Sequence, residues 1–154
     1  MTAKKRPPKA RRAPAANSKG SGMGATTAAK SPRYLEVQAA LDRKIQALFP
    51  GTPYRLEFGM KGWKIARPTK ITGWTGTIDP NFIHIYLAER KTRITLHLWN
   101  SYDPGALKRN EKNLTKAGFK VMVGCLQFNR KGDYPIEPVF DMLDNIRSLM
   151  DSEK

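Results

Sequence analysis

The stretch that most constrains this chain is residues 82–100, FIHIYLAERKTRITLHLWN. Ile83, Ile85 and Leu87 alternate with polar or aromatic residues, and Ile94, Leu96 and Leu98 repeat the pattern after the charged Glu89-Arg90-Lys91. Period-2 alternation on both sides of a polar turn predicts a β-hairpin with one buried face. Aliphatic must meet aliphatic, so an odd residue of the first strand pairs with an even residue of the second. The shortest loop that satisfies this sets Glu89 opposite Thr92, Leu87 opposite Ile94, Ile85 opposite Leu96 and His84 opposite His97. The two histidines of the chain would then stand side by side, with Tyr86 and Trp99 on the same face.

Charge divides the rest of the chain. Of the formal +15 carried by 154 residues, residues 1–32 contribute eight Lys and Arg and no acid. This leaves 20 basic and 13 acidic residues, or +7, for residues 33–154. The first segment has no aromatic, Leu, Ile or Val and much Pro, Gly, Ser and Ala, so it cannot bury enough apolar surface to offset its ordering entropy. The expectation is a disordered basic arm at 1–32 and one α/β domain at 33–154. Lys4, Lys5, Arg6, Lys9, Arg11 and Arg12 form the dense part of the arm, a composition suited to the phosphates of DNA or RNA. The same cluster also suits a localisation signal or a solvated tail. Met23 is an alternative first residue, and a chain beginning there would lose most of the arm's charge.

One cysteine, Cys125, excludes an internal disulfide and fits a reducing, cytoplasmic setting. No apolar run is long enough to span a bilayer, and the N-terminus lacks the apolar core of a secretory signal.

Taken in order, Ser31-Pro32 reads as an N-cap and first helical residue. Tyr34, Val37, Leu41, Ile45 and Leu48 then recur at helical spacing up to Pro50-Gly51. Residues 54–58 and 63–66 are strand candidates around a Gly59–Gly62 turn, and 70–78 is a third, weakened by Gly73 and Gly76. After the hairpin, Asp103-Pro104 opens a second helix that stops at Gly118. It bears Lys108, Arg109, Lys112 and Lys116 as a basic stripe. Residues 119–128 (FKVMVGCLQF) read as one continuous apolar strand. A last helix carries Ile136, Val139, Phe140, Leu143, Ile146 and Met150 on one stripe, with Glu137, Asp141 and Asp144 on or beside the other side.

Little in this sequence is catalytic. There is no phosphate-cradling glycine loop after a strand, no G-x-S-x-G, no H-E-x-x-H and no paired cysteine motif. The expectation is therefore a non-enzymatic binding protein. If His84 and His97 are directly opposed, their Cβ atoms lie roughly 5 Å apart, close enough to share a metal; otherwise they are two histidines on a half-exposed sheet face. Tyr86 and Trp99 beside Arg93 resemble the platforms on which single-stranded bases stack, although cross-strand packing uses the same residues.

Several stretches together resemble the YdhG-like domain family of unknown function. They are the opening helix, Glu57-Phe58-Gly59-Met60, Ile94-Thr95-Leu96-His97-Leu98, and the run from Lys120 to Phe128 ahead of the last helix. The resemblance covers roughly residues 33–150. It implies a frataxin-like α+β sandwich: an antiparallel sheet of about five to six strands, N- and C-terminal helices on one face, and one extra helix before the last strand. One branch of that family is described as an iron chaperone, so the resemblance also implies iron as a ligand. Two functions follow: a polyanion-binding module using the arm and the Lys108–Lys116 stripe, and, alternatively, an intracellular iron-binding protein. A domain that only binds a protein partner is a third.

Overall fold

The computed structural model describes residues 29–100, 105–131 and 135–153. Helix α1 (Pro32–Leu48) begins as its sequence dictates: Ser31 Oγ accepts the Tyr34 N–H at 3.2 Å and Pro32 opens the first turn. Its Tyr34, Val37, Leu41 and Ile45 are buried at helical spacing. Strands β1 (Tyr54–Glu57), β2 (Met60–Ala66), β3 (Phe82–Glu89) and β4 (Arg93–Trp99) follow as an antiparallel meander. Helix α2 (Gly105–Lys116) leads to β5 (Lys120–Met122) and β6 (Cys125–Asn129), and α3 (Glu137–Ser152) closes the chain. The six-stranded sheet has the order β1-β2-β3-β4-β6-β5.

One core forms between the helices and one face of the sheet. Trp63, Ile65, Ile83, Ile85, Leu87, Ile94, Leu96, Leu98, Leu126 and Phe128 line the sheet side. All three helices contribute, α2 through Leu107 and Leu114 and α3 through Val139, Met142, Leu143, Ile146 and Met150. Polar tips are satisfied where they enter this core: Tyr34 Oη donates to the Leu87 carbonyl at 3.1 Å, and Trp63 Nε1 donates to Asp42 Oδ1 at 2.8 Å. Helix α2 ends in a Schellman arrangement, with Gly118 N–H on Thr115 O and Phe119 N–H on Leu114 O, both at 3.0 Å.

The α+β class matches the sequence reading, and six strands fall within the expected five to six. Four details differ, besides the first turn, which falls at Phe58-Gly59 and not across Gly59–Gly62. Residues 70–78 form no strand; 67–81 is irregular, with scattered turns and bends. The meander leaves that segment no place beside β2, because β1 and β3 occupy both of its edges. The apolar run 119–128 is not one strand but a hairpin, turning at Val123-Gly124 with Gly124 at φ 71°. The extra helix therefore precedes two strands, and it is a full member of the helix layer, packed on α3 and β5. Its expected cap, Asp103-Pro104, lies outside the described residues.

The fourth correction concerns the central hairpin. Its loop is Lys91-Thr92, closed by the Arg90 N–H on Arg93 O at 2.8 Å. Leu87 pairs with Leu96, Ile85 with Leu98, Tyr86 with His97 and His84 with Trp99. Each pairing is displaced by two residues from the expected one. A two-residue slip leaves every side chain on its face, so alternation alone cannot detect it. The faces are those the alternation predicts; the histidine pair does not form.

Candidate functional site

The sheet face away from the helices carries Glu57, His84, Tyr86, His97 and Trp99, brought together by the registers of β1 to β4. Tyr86 is fully buried and His84 nearly so. Burial is possible because Gly62, opposite Tyr86, leaves room: a Cβ there would come within 2.7 Å of Tyr86 Cα and 2.0 Å of Ile85 O. The Tyr86 hydroxyl donates to Glu57, and His84 Nδ1 lies 3.2 Å from the same hydroxyl. His84 Nε2 lies 3.4 Å from Asp79 O. Phe58 closes over this group, edge-on to Tyr86 and Trp99 at 5.9 and 5.5 Å.

These contacts set the ionisation. Burial, then the Glu57 contact, pushes the Tyr86 hydroxyl well above its ordinary value. The Tyr86 hydrogen bond holds the Glu57 carboxyl below its ordinary value. Burial lowers His84, against the opposing pull of the Asp79 carbonyl and Glu57; Lys64 lowers it further. Burial and then Arg90 lower His97. The face thus favours neutral histidines around one carboxylate. Among the described residues, no three or more His, Cys, Asp or Glu side chains are grouped to hold a metal ion. His84 and His97 do not face one another as a chelating pair would require. Cys125, opposite His97, is buried and its thiol is raised by burial, the reverse of an activated nucleophile.

The second feature is α2. Leu107 and Leu114 turn into the core, which leaves Lys108, Arg109, Lys112 and Lys116 exposed, as the stripe predicts. With Glu111 and Thr115 they line one shallow depression of about 470 Å³. Among the described residues, none of Lys108, Lys112 and Lys116 is ion-paired. Like charges at i, i+4 destabilise a helix by about 0.2–0.5 kcal/mol per pair, and Lys108, Lys112 and Lys116 make two such pairs. The arm residues Lys4, Lys5, Arg6, Lys9, Arg11 and Arg12 lie outside the described residues. The α2 stripe is on the helix side of the sheet, so it and the aromatic face form two separate surfaces.

A third feature was not legible in the sequence. The 67–78 segment, the end of β4 and the β5–β6 turn enclose a groove of about 630 Å³, lined among others by Arg67, Lys70, Trp74, Trp99 and Val123. Arg67 is already engaged in structure, its guanidinium donating to Asn100 O at 2.5 Å and to Thr69 O at 3.2 Å. Among the described residues, no helix is long and apolar enough to cross a membrane.

No protein-family model matches the chain, and no curated protein and no solved structure matches it either.

Proposed function

We propose that this chain is a non-enzymatic module that binds a polyanion, with nucleic-acid phosphates as the ligand class, through the exposed face of α2. The observation that carries this reading is the row Lys108, Lys112 and Lys116, unpaired and gathered with Arg109 around one depression. At 1.5 Å rise per residue, the row is about 12 Å long, a span that follows a charged backbone rather than a single small anion. The basic arm adds further phosphate contacts in this reading.

The iron reading draws less support from the donor set. Iron calls for several oxygen ligands converging in a negative field. The acids of α1 are engaged elsewhere, Asp42 with the Trp63 indole and Glu36 beside Arg33 at 3.5 Å. On α3, Asp144 is paired with Lys44 at 2.7 Å.

The test is fluorescence-anisotropy titration of labelled single- and double-stranded oligonucleotides against the full chain across salt concentration. Affinity that falls steeply with salt, and falls again on charge reversal in α2, supports the proposal. Binding that is absent at low salt, or indifferent to salt, overturns it.

A further inference from the structure

The two edges of the sheet are built differently. The β5 edge is three residues long and opens with a lysine, Lys120, the ordinary means of keeping an edge from pairing with another chain. The β1 edge, one residue longer at four, is also short but carries no lysine. Its sequence is Tyr54-Arg55-Leu56-Glu57, without lysine, proline or bulge, and Tyr54 and Leu56 are exposed, Leu56 at 66%.

The turn that follows fixes which backbone groups this edge presents. Phe58 and Gly59 have φ 54° and 70°, positive at both central positions of a two-residue hairpin loop, as in a type I′ turn. The closing pair of such a turn, Glu57 and Met60, exchanges its hydrogen bonds inward. By alternation Arg55 also bonds inward to Gly62, and the N–H and C=O of Leu56 are directed away from β2. Among the described residues no other backbone hydrogen bond engages them.

The side chains around Leu56 are self-complementary. Arg55 and Glu57 lie on the same sheet face, 3.7 Å apart at their charged ends. In an antiparallel pairing centred on Leu56, Leu56 meets Leu56 of the second copy across a hydrogen-bonded pair. Arg55 then falls opposite Glu57 of the second copy, and Glu57 opposite its Arg55. These are non-hydrogen-bonded pairs, the positions where directly opposed side chains approach most closely. A two-fold axis through Leu56 makes both ion pairs at once, as an isologous contact requires. Phe58 turns out of the strand and ends the ladder.

We infer that two copies of this chain associate edge to edge through antiparallel β1–β1 pairing centred on Leu56, joining two six-stranded sheets into one. The inference is independent of the polyanion reading. Sedimentation velocity on the nucleic-acid-free full chain, over about 1–300 µM, should show a concentration-dependent dimer. Arg55→Glu, which sets acid against acid at both pairs, and Leu56→Lys should each weaken it at least about tenfold. A monomer throughout that range, or a dimer unaffected by both substitutions, overturns the inference. Should either variant fail to fold by near-UV circular dichroism, Leu56→Cys gives a second readout. Its exposed thiol should yield a covalent dimer with a short bis-maleimide, whereas the native Cys125 is buried. No cross-linking at position 56 likewise overturns it.

Discussion

Glu89, at the end of β3, accepts hydrogen bonds from both the backbone N–H and the hydroxyl of Ser31, the N-cap of α1. The N–H contacts are 3.1 and 3.2 Å, and Arg130 Nε approaches the same carboxylate at 3.1 Å. The carboxylate is only 7% exposed and sits on the helix side of the sheet, beyond Leu87. One side chain thus joins the start of the helix layer, the central hairpin and the end of β6. It also fits the hairpin's register: a loop at Arg90-Lys91 would make Glu89 the closing residue opposite Thr92, whereas the loop at Lys91-Thr92 sets it one pair further into the ladder, opposite Ile94.

Removing this carboxylate strands two donors and a guanidinium. Glu89→Ala should cost about 3 kcal/mol in chemical denaturation, the range for breaking a nearly buried charged network. Ser31→Ala should cost about 1 kcal/mol through loss of the cap. The double variant should cost less than the sum, because both changes remove the same hydroxyl interaction. Strict additivity would show that the cap and the carboxylate act separately.

Gly62 marks where β2 makes room for Tyr86. A methyl group there meets backbone, not a flexible side-chain end: Ile85 O at 2.0 Å and Tyr86 Cα at 2.7 Å. Backbone in a central strand pair cannot yield without disturbing the ladder, so Gly62→Ala should destabilise the fold by about 3 kcal/mol. The urea midpoint should fall with little change in slope.

Parts of this fold were legible in the sequence because local chemistry settles them. Ser31-Pro32, the Tyr34–Ile45 spacing and the Gly118 stop each rest on interactions within a turn or two of helix. The faces of β3 and β4 were legible for the same reason, since alternation is local. Register was not, because the hydrogen bond that favours it, Glu89 to Ser31, spans 58 residues. Residues 119–128 mislead because Gly124 is a small gap in an otherwise apolar run, and its left-handed turn depends on β6 having β4 to pair with. Of the candidate sites, the α2 stripe was visible because helix periodicity separates Leu107 and Leu114 from the lysines. Of the Glu57–Tyr86–His84 group, alternation already set His84 and Tyr86 on one face, but Glu57 was invisible, because it arrives through the β1–β2 and β2–β3 registers, which no local pattern sets.

Both histidines carry depressed pKa values, chiefly from burial. The unfolded chain therefore takes up protons near the ordinary histidine value of about 6.5, while the folded chain resists. Stability is unaffected well above that pH and falls as pH drops through it. The expected result is a lower melting temperature at pH 5 than at pH 7.5, followed by differential scanning calorimetry. His84→Gln combined with His97→Gln should flatten the profile between those values, whatever its effect on absolute stability. Below about pH 4.5, protonation of Glu57 and Asp79, both lowered in the fold, should reduce stability a second time. A profile unchanged in the double variant between pH 5 and 7.5 would place the histidine-range dependence elsewhere.

The α2 stripe offers the sharpest separation between binding and folding, because its lysines are exposed and form no ion pair among the described residues. Replacing Lys108, Lys112 and Lys116 together by Gln removes two like-charge i, i+4 pairs, so thermal stability should hold or rise by a few tenths of a kcal/mol. Oligonucleotide affinity should fall, and the slope of log K against log salt should become shallower by about 2–3, close to one unit for each phosphate no longer neutralised. Reversal to Glu should weaken binding further without changing the circular dichroism spectrum. A triple variant that binds like the parent, with the same salt slope, would leave any phosphate binding to other parts of the chain and remove α2 from the interface.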